Sequence, residues 1–297
     1  MEIGLIDADK KGKNNFPNLA LMKLSAWHKK KGDNVEMVFP LKHYDRIYVS
    51  KVFDDYISPG LDYSPLVSEV IYGGTGYSMT DVLPYEVEHI RPDYSLYNIK
   101  DNAYGFLTRG CPRACSFCIV AQKEGRKSKK VSDLAEWWNG EKKITLLDPN
   151  ILAAREHLDL LAQLSESKSI VDFTQGIDAR LLNDKNINAL NSVRMNMIHF
   201  AWDFMEQSES VLDGLRLYSA LGAIQNERNR TVYVLVNFNT SMEENLYRIN
   251  KLKALKYSPY VMVYDKAHAS KEIKRLQRWC NNRFIFRSCD RFEDYRG

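Results

Sequence analysis

Residues 104–118 read YGFLTRGCPRACSFC, a short apolar run that leads into three cysteines with the spacing CxxxCxxC. Cys111, Cys115 and Cys118 are three of the chain's five cysteines and lie within eight residues of one another. Thiolates this close in sequence can bind one metal centre, and soft sulfur ligands favour zinc, copper(I) or an iron–sulfur cluster. The nearest histidines lie far away in the sequence. A closed zinc site would therefore need a distant ligand, whereas an iron–sulfur cluster with one open iron would not.

The composition of the whole chain is that of an ordinary globular protein. Its 297 residues are 44% hydrophobic and 27% charged, and this length is ample for a buried core without disulfides. Few and clustered cysteines favour a reducing, cytoplasmic location, and no targeting segment precedes the first strand pattern. No apolar run reaches the roughly 18 residues that a membrane span requires. The net charge of +4 permits a nucleic-acid partner without arguing for one.

The first hundred residues predict a small domain followed by a connector. Strands are predicted at Glu2–Asp7, Val35–Phe39, Arg46–Val49 and Val70–Tyr72, with a helix at Pro17–Lys31. Strands separated by helices or loops in this order indicate a small, doubly wound parallel sheet over residues 1–77. Residues 78–101 show no clear period and are interpreted as a connector.

The remaining residues, 102–297, alternate strands and helices in a regular order. Six strands are predicted, at Tyr104–Thr108, Lys143–Leu147, Ile170–Phe173, Met197–Ala201, Thr231–Asn237 and Tyr260–Tyr264. Helices are predicted between them, at Val131–Trp138, Ile151–Leu164, Asp184–Asn191, Glu206–Leu221 and Met242–Leu255. This alternation is typical of a parallel barrel, whose active-site groups collect where the strands end.

Polar residues follow nearly every predicted strand. They are Asp148 and Asn150 after the second, Gln175, Asp178 and Arg180 after the third, Asp203 after the fourth and Asn237 after the fifth. On the barrel prediction these side chains face a cofactor and a substrate. Two alternatives stay open: Asp148 and Asn150 cap the following helix, and Asp178 and Arg180 pair with each other.

With an aromatic residue before its third cysteine, the motif resembles the cluster motif of the radical S-adenosylmethionine superfamily. That resemblance implies that Cys111, Cys115 and Cys118 hold a [4Fe-4S] cluster whose fourth iron chelates the methionyl amino and carboxylate groups. It also implies an incomplete six-unit (β/α) barrel from about residue 102 to 290 and a flavodoxin- or ferredoxin-like electron donor. The family's residue in the position of Phe117 touches the adenine with its backbone.

The same resemblance assigns roles to the residues at the strand ends. Where the family has a glycine-rich segment ending in an acid, this chain has Leu147-Asp148-Pro149-Asn150, and Asp148 and Asn150 can accept hydrogen bonds from the methionyl ammonium. Arg180 can bind the methionyl carboxylate with two parallel hydrogen bonds. Gln175 or Asp178 can accept hydrogen bonds from the ribose hydroxyls.

The N-terminal domain resembles, more weakly, the cobalamin-binding domain found in some members of this superfamily. Residues 7–12 have the outline of its DxHxxG motif, Ser50 follows the third strand, and Gly73-Gly74 follows the fourth. Asp9 stands at the histidine position, and a carboxylate does not replace an imidazole as an axial ligand of cobalt. Cobalamin is therefore not expected, although a cobalamin-dependent radical methylase stays open as an alternative.

Two basic segments leave a second alternative open. Five of the eight residues from Lys123 to Lys130 are basic, and arginines recur after Lys271 in a tail that also holds Cys280 and Cys289. A protein that keeps a metal or cluster only structurally and binds nucleic acid, in a regulatory role, would use such segments. A solvated loop is the plainer explanation of the first segment, and two cysteines alone do not define a second cluster.

The sequence thus predicts a two-domain radical S-adenosylmethionine enzyme. The resemblance implies that it cleaves S-adenosylmethionine reductively to a 5′-deoxyadenosyl radical, which abstracts hydrogen from a substrate that the sequence does not identify.

Overall fold

A computed structural model describes residues 1–12, 16–39, 41–53 and 69–297 of the chain. Within these ranges it is a mixed α/β protein whose larger sheets are parallel, as predicted. No helix in the described ranges combines the length and the apolarity that crossing a lipid bilayer requires.

The N-terminal part contains the predicted small parallel sheet. Its strand order is β2-β1-β3-β4, with bounds β1 (Glu2–Asp7), β2 (Asn34–Met37), β3 (Arg46–Ser50) and β4 (Val70–Gly73). Helix α1 (Leu19–Lys30) packs on one face of the sheet, where Leu21 meets Ile3 and Leu5. The helix begins two residues later than predicted because the Asn18 side chain caps it, accepting from Leu21 N at 3.2 Å.

Asp9, at the position where the cobalamin-binding motif has histidine, has a local structural role. Its side chain is buried, and its carboxylate accepts hydrogen bonds from Val52 N at 2.6 Å and Phe53 N at 3.3 Å. The carboxylate therefore holds the chain that follows β3, which gives a physical reason for an acidic residue here.

The second part contains the six predicted parallel strands, arranged as two three-stranded sheets. The first sheet has the order β5-β8-β9 and the second β10-β11-β12. Their bounds are β5 (Asn102–Gly105), β8 (Lys143–Leu146), β9 (Ile170–Phe173), β10 (Ile198–Ala201), β11 (Arg230–Val236) and β12 (Ser258–Val263). A separate antiparallel ribbon pairs β6 (Thr108–Arg109) with β7 (Lys129–Lys130).

The predicted barrel differs from the observed arrangement at the junction of the two sheets. Strands β9 and β10 are in contact, but no ladder joins them. Instead Val171 N donates to Arg194 O at 2.8 Å, and Ile177 N donates to His199 O at 2.7 Å. Each of these hydrogen bonds joins one strand to the loop beside the other strand, so β9 and β10 do not form a continuous ladder.

Alternate residues of the six strands face opposite environments, as the pleat requires. Ile144, Val171, Phe200 and Val232 are completely or almost completely buried in the core beneath the helices. We call the opposite surface the polar face, defined by Asn102, Tyr104, Thr145, Asp172, His199, Tyr233 and Tyr260. Except for the buried Thr145, these residues are half-buried or exposed.

The longer described helices follow the predicted order with shifted ends. The helices after α1 have the bounds α2 (Tyr85–Glu88), α3 (Val120–Lys123), α4 (His157–Glu166), α5 (Asp184–Ser192), α6 (Ser208–Leu221), α7 (Met242–Ala254), α8 (Lys271–Asn281) and α9 (Arg283–Ser288). The short helices α2, α3 and α9 were not predicted.

Two helix predictions need correction. The predicted helix Val131–Trp138 is only a 3-10 turn over Leu134–Glu136. Its chain bends so that the Trp137 ring packs on Gly105, where even a methyl group would lie 2.4 Å from the ring. The helix predicted at Ile151–Leu164 begins only at His157, because Asn150 is extended and a short 3-10 turn follows it.

Helix α8 closes the edge of the second sheet and gives Cys280 a structural role. Asn281 accepts from Val261 N at 2.7 Å and donates to Val261 O at 3.0 Å. The buried Cys280 thiol lies 3.5 Å from Pro259 O, and burial raises its pKa to about 12. This thiol therefore packs as a small, weakly polar group beside β12.

Candidate metal centre

The cysteine-bearing loop, residues 110–118, leaves β6 through a turn that only glycine fits. Gly110 has φ +87°, and a Cβ atom there would lie 2.2 Å from Lys127 O. Its N–H donates to Glu124 Oε2 at 3.1 Å, and Cys111 N donates to Gly125 O at 3.1 Å. Close backbone packing therefore fixes where the first cysteine lies.

The basic segment Lys123–Lys130 supports this loop. Lys129 and Lys130 form the strand that pairs with Thr108–Arg109, and Lys123 Nζ donates to Asp81 O at 2.7 Å. The side chains of Arg126 and Lys127 are exposed, as the solvated-loop interpretation expects.

Ion pairs tie the start of the loop to the N-terminal domain. Arg109 donates to Glu124 at 2.8 Å and to Glu88 at 3.1 Å. Glu88 also pairs with the largely buried Lys23 of α1 at 2.9 Å. The loop is thus braced from both sides by charges on neighbouring elements.

All three cysteines of the loop are free and half-buried. Between them, Ala114 has φ +47°, a left-handed conformation that costs a residue with a Cβ about 1–2 kcal/mol. Cys118 N donates to Cys115 O at 2.9 Å, which closes a turn between the second and third cysteines. Strain of this kind persists where the surrounding structure imposes it, and it is common at functional sites.

Three free thiols in one loop offer soft sulfur ligands, which favour zinc, copper(I) or an iron–sulfur cluster. Among the described residues, no three His, Cys, Asp or Glu side chains are already placed to hold one metal ion. A single tetrahedral ion would draw its thiolates to within roughly 3.8 Å of one another, given zinc–sulfur bonds of about 2.3 Å. A cluster separates its thiolates, since each binds a different iron.

Burial and nearby acidic groups keep the thiol of Cys115 protonated in the metal-free chain. Burial is the largest cause of its raised pKa, and Asp203, Cys111 and Cys118 also raise it, while Arg180 opposes them. Any metal that binds here must displace the proton, because the thiolate is the ligand.

Asn150 extends from the end of β8 to the loop. Its side chain is buried, and Nδ2 donates to Cys111 Sγ at 3.7 Å and to Asp178 Oδ2 at 3.0 Å. Its Oδ1 atom is buried without a hydrogen-bond partner among the described residues. A buried acceptor of this kind is uncommon in native proteins, and it is available to a donor brought by a ligand.

Asp178 accepts hydrogen bonds from three side chains of the site. Its carboxylate accepts from Arg180 Nε at 2.7 Å, from Arg113 Nε at 2.7 Å, and from Asn150. Burial alone would raise the pKa of Asp178, but Arg180 and then Arg113 outweigh it, and the net shift is downward. The open alternative of an Asp178–Arg180 pair is thus confirmed, and the pair also reaches the loop through Arg113.

Asp203 is close enough to Cys115 to influence the pKa of its thiol. Burial raises its pKa to about 6, although the charges of Arg248 and Arg180 oppose that shift. Arg180 in turn is influenced by Cys115 and Asp203 as well as by Asp178. The ends of β9 and β10 therefore bring charged groups of both signs close to the second cysteine.

Asp148 supports the strand end that leads into the cysteine loop. Its buried carboxylate accepts from Leu107 N at 2.8 Å, from Thr108 N at 2.6 Å and from Thr108 Oγ1 at 2.6 Å. Its side chain does not cap the following helix, because all of these donors belong to the strand end that leads into the cysteines. Asp148 is therefore a positioning residue.

Asp148→Asn is expected to destabilise the protein by about 1–3 kcal/mol, because an amide N–H₂ would face existing donors. Burial raises the pKa of Asp148 from 3.8 to about 7, so the native state binds this proton more tightly than the unfolded state. The contribution of this bound proton to the free energy of unfolding is full below about pH 4 and is lost as the pH rises to about 7. Urea unfolding at several pH values should therefore show a larger effect of the substitution at acidic than at neutral pH.

The exposed Asp213, which pairs with Arg216, supplies the control variant Asp213→Asn. A destabilisation by Asp148→Asn that grows with pH would contradict this account and would show a carboxylate kept ionised by its three donors.

Three predicted site residues remain: Gln175, Asn237 and Phe117. Gln175 is exposed. Asn237 has φ +67° and donates to Tyr264 O at 2.8 Å, so it shapes the loop after β11. The Phe117 ring lies 5.8 Å from both Phe204 and Phe238, measured between ring centroids. An aromatic cluster thus forms around the residue that precedes the third cysteine.

Sequence reasoning missed four residues of the site: Arg113, Arg248, Phe204 and Phe238. Arg113 lies inside the cysteine motif, so its proximity to a metal was foreseeable although its partner was not. Nothing in the sequence distinguishes Arg248 from Lys251 and Lys253, the other basic residues of α7, which are only half-buried.

No protein-family model matches the chain, and no curated protein is significantly similar to it.

Proposed function

We propose that this protein is a radical S-adenosylmethionine enzyme built on an incomplete barrel of six parallel strands. The observation that carries the proposal is the contact of Asn150 with both Cys111 and Asp178. Side chains from the ends of two strands thereby meet the loop that bears the CxxxCxxC motif. A purely structural cysteine cluster would not need a buried, unpartnered acceptor beside its first thiol.

When bound, a [4Fe-4S] cluster supplies the electron that breaks a carbon–sulfur bond of S-adenosylmethionine. The products are methionine and a 5′-deoxyadenosyl radical, and this radical takes a hydrogen atom from the substrate. The chain itself must bind, orient and shield the reacting groups. Cys111, Cys115 and Cys118 hold the cluster. An external protein electron donor of low potential completes the system.

The polar side chains around the loop suit the methionyl group. Asn150 Oδ1 accepts a hydrogen bond from the ammonium, since no described residue occupies this atom. The Arg180 guanidinium is half-buried and provides the positive charge near Cys115 that a carboxylate requires. Asp178 keeps Arg180 and Arg113 in place rather than binding the ligand directly.

The test is anaerobic reconstitution with iron and sulfide, followed by reduction with S-adenosylmethionine present. The wild-type protein is expected to bind about four irons per chain and to release 5′-deoxyadenosine, measured by chromatography. Each of Cys111→Ala, Cys115→Ala and Cys118→Ala should lose both, because a cluster with two thiolates is not retained.

Cys289→Ala is the matched control, because Cys289 is also free and half-buried but lies in the C-terminal tail. This variant should keep its iron and its product. A wild-type protein that is fully loaded yet yields no 5′-deoxyadenosine would overturn the proposed function. Tight binding of zinc in place of iron would instead favour a structural metal site.

A further inference from the structure

A pocket of about 450 Å³ opens on the polar face, away from the cysteine loop. It is lined near the amino ends of the strands by Asn102, Lys143 and Ile170, and farther along by Asp172 and His199. The cysteine loop follows the carboxyl end of β5, so the pocket lies toward the opposite end of the same strands. Its volume is within the range of small-molecule sites, about 300–1,000 Å³.

Asp172 and His199 place an acceptor and a donor side by side in this pocket. His199 Nε2 lies 3.9 Å from Asp172 Oδ1, which is too long for a hydrogen bond. The imidazole is held flat against Tyr233, with ring centroids 5.4 Å apart and planes 3° from parallel. The Asp172 carboxylate and His199 Nε2 are therefore not hydrogen-bonded to each other, and both can bind a ligand.

The tautomer of His199 follows from its surroundings. Its Nδ1 atom is buried and has no partner among the described residues. An unpaired buried acceptor is better tolerated than an unpaired buried N–H, so the proton belongs on Nε2. Burial also lowers the pKa of His199, which keeps the ring neutral at neutral pH. Nε2–H is thus a donor next to the exposed carboxylate of Asp172.

The other lining groups restrict the ligand further. Asn102 and Thr145 hydrogen-bond to each other at 3.0 Å and so satisfy one another. Lys143 and Asp172 carry opposite charges, which gives the pocket no net charge for attracting an ion. Tyr104 and Phe16 add aromatic surface to the wall. Such a lining suits an uncharged, flat molecule whose edge carries an N–H beside a C=O.

We propose that the pocket binds an uncharged planar heterocycle with a lactam edge, as in an oxopurine or a pyrimidinone. The ring N–H donates to Asp172, the adjacent carbonyl accepts from His199 Nε2–H, and the ring lies against the aromatic wall. The proposal goes beyond the radical chemistry and does not depend on it, since none of the pocket residues belongs to the cysteine loop.

Calorimetric titration of the full-length protein, without iron or S-adenosylmethionine, tests the proposal. The probes are inosine and uridine, with 1-methylinosine and 3-methyluridine as comparators in which a methyl group replaces the ring N–H. Inosine or uridine should bind at least about tenfold more tightly than its methylated comparator, since the comparator cannot donate a hydrogen bond to the carboxylate. Equal binding of each probe and its methylated comparator would overturn the proposal.

Three variants locate the site. Asp172→Asn and His199→Phe should each weaken lactam binding at least about tenfold, whereas His199→Gln, which keeps an N–H donor, should restore part of it. The exposed Asp213→Asn is the control. The side chain of Asp172 is 56% exposed, so its substitution should leave the fold intact, as circular dichroism can verify.

Unchanged affinity in both Asp172→Asn and His199→Phe, or no binding of either lactam at millimolar concentration by folded protein, would refute the pocket assignment. Because the titration uses iron-free protein, a failed cluster reconstitution would leave its result unaffected.

Discussion

Arg248→Met is expected to lower the free energy of unfolding by about 3–5 kcal/mol, because it removes a buried cation on which several carbonyl groups depend. The Arg248 side chain is completely buried. Its guanidinium donates to Trp202 O at 2.8 Å, to Leu235 O at 2.9 Å and to Asn245 Oδ1 at 2.6 Å, and also to Asp203 O. Methionine fills a similar volume but leaves these acceptors unpaired in the core.

Chemical denaturation of the variant and the wild-type protein measures the effect. The control is Arg216→Met on α6, because this arginine is 55% exposed and pairs only locally with Asp213. Surface pairs of this type contribute about 0–1 kcal/mol. Equal stability of Arg248→Met and the wild-type protein would show that the guanidinium does not hold the strand ends.

Arg248 also holds together two strand ends that border the site. Trp202 and Asp203 follow β10, and Leu235 lies near the end of β11, so one guanidinium joins the carboxyl ends of two neighbouring strands. The Asp203 carboxylate is close enough to Cys115 and Arg180 to influence the pKa values of both. A residue far from the cysteines in sequence therefore fixes the charge beside one of them.

The sequence predicted the six strands well because their alternation is visible locally. Ile170–Phe173 has the predicted bounds, and the other strands differ by one to three residues at either end. Apolar residues at every second position also identify the core side of each strand. The helix predicted at Val131–Trp138 failed because Trp137 packs on Gly105, a contact between segments distant in sequence that no local pattern reveals.

The site was only partly predictable for a related reason. Asp148 and Asn150 both follow β8 and carry similar polar groups, so the sequence treats them alike. In the structure Asp148 points back to Thr108, whereas Asn150 reaches Cys111 and Asp178. The direction of each side chain depends on the backbone around Pro149 and on the position of β5, which only the tertiary structure sets.

Gly110→Ala is expected to disrupt the cysteine loop while leaving the rest of the fold in place. The new methyl group would lie 2.2 Å from the carbonyl oxygen of Lys127. The backbone at Lys127 cannot move away without breaking the β6–β7 ribbon. The left-handed φ of +87° adds about 1–2 kcal/mol of strain. Since each 1.4 kcal/mol is a factor of ten, iron retained under limiting iron should fall at least about tenfold.

The chain offers a closely matched control in Gly140→Ala. Gly140 has φ +92°, so alanine suffers the same left-handed strain there, but no atom lies within 4 Å of the added methyl group. Both variants should lose some thermal stability, and only Gly110→Ala should lose iron. Equal iron contents in the two variants would show that backbone strain, rather than contact with Lys127, limits the loop. Normal iron in Gly110→Ala would mean that the three cysteines reach their metal without this turn, because the added methyl group leaves the cysteines themselves unchanged.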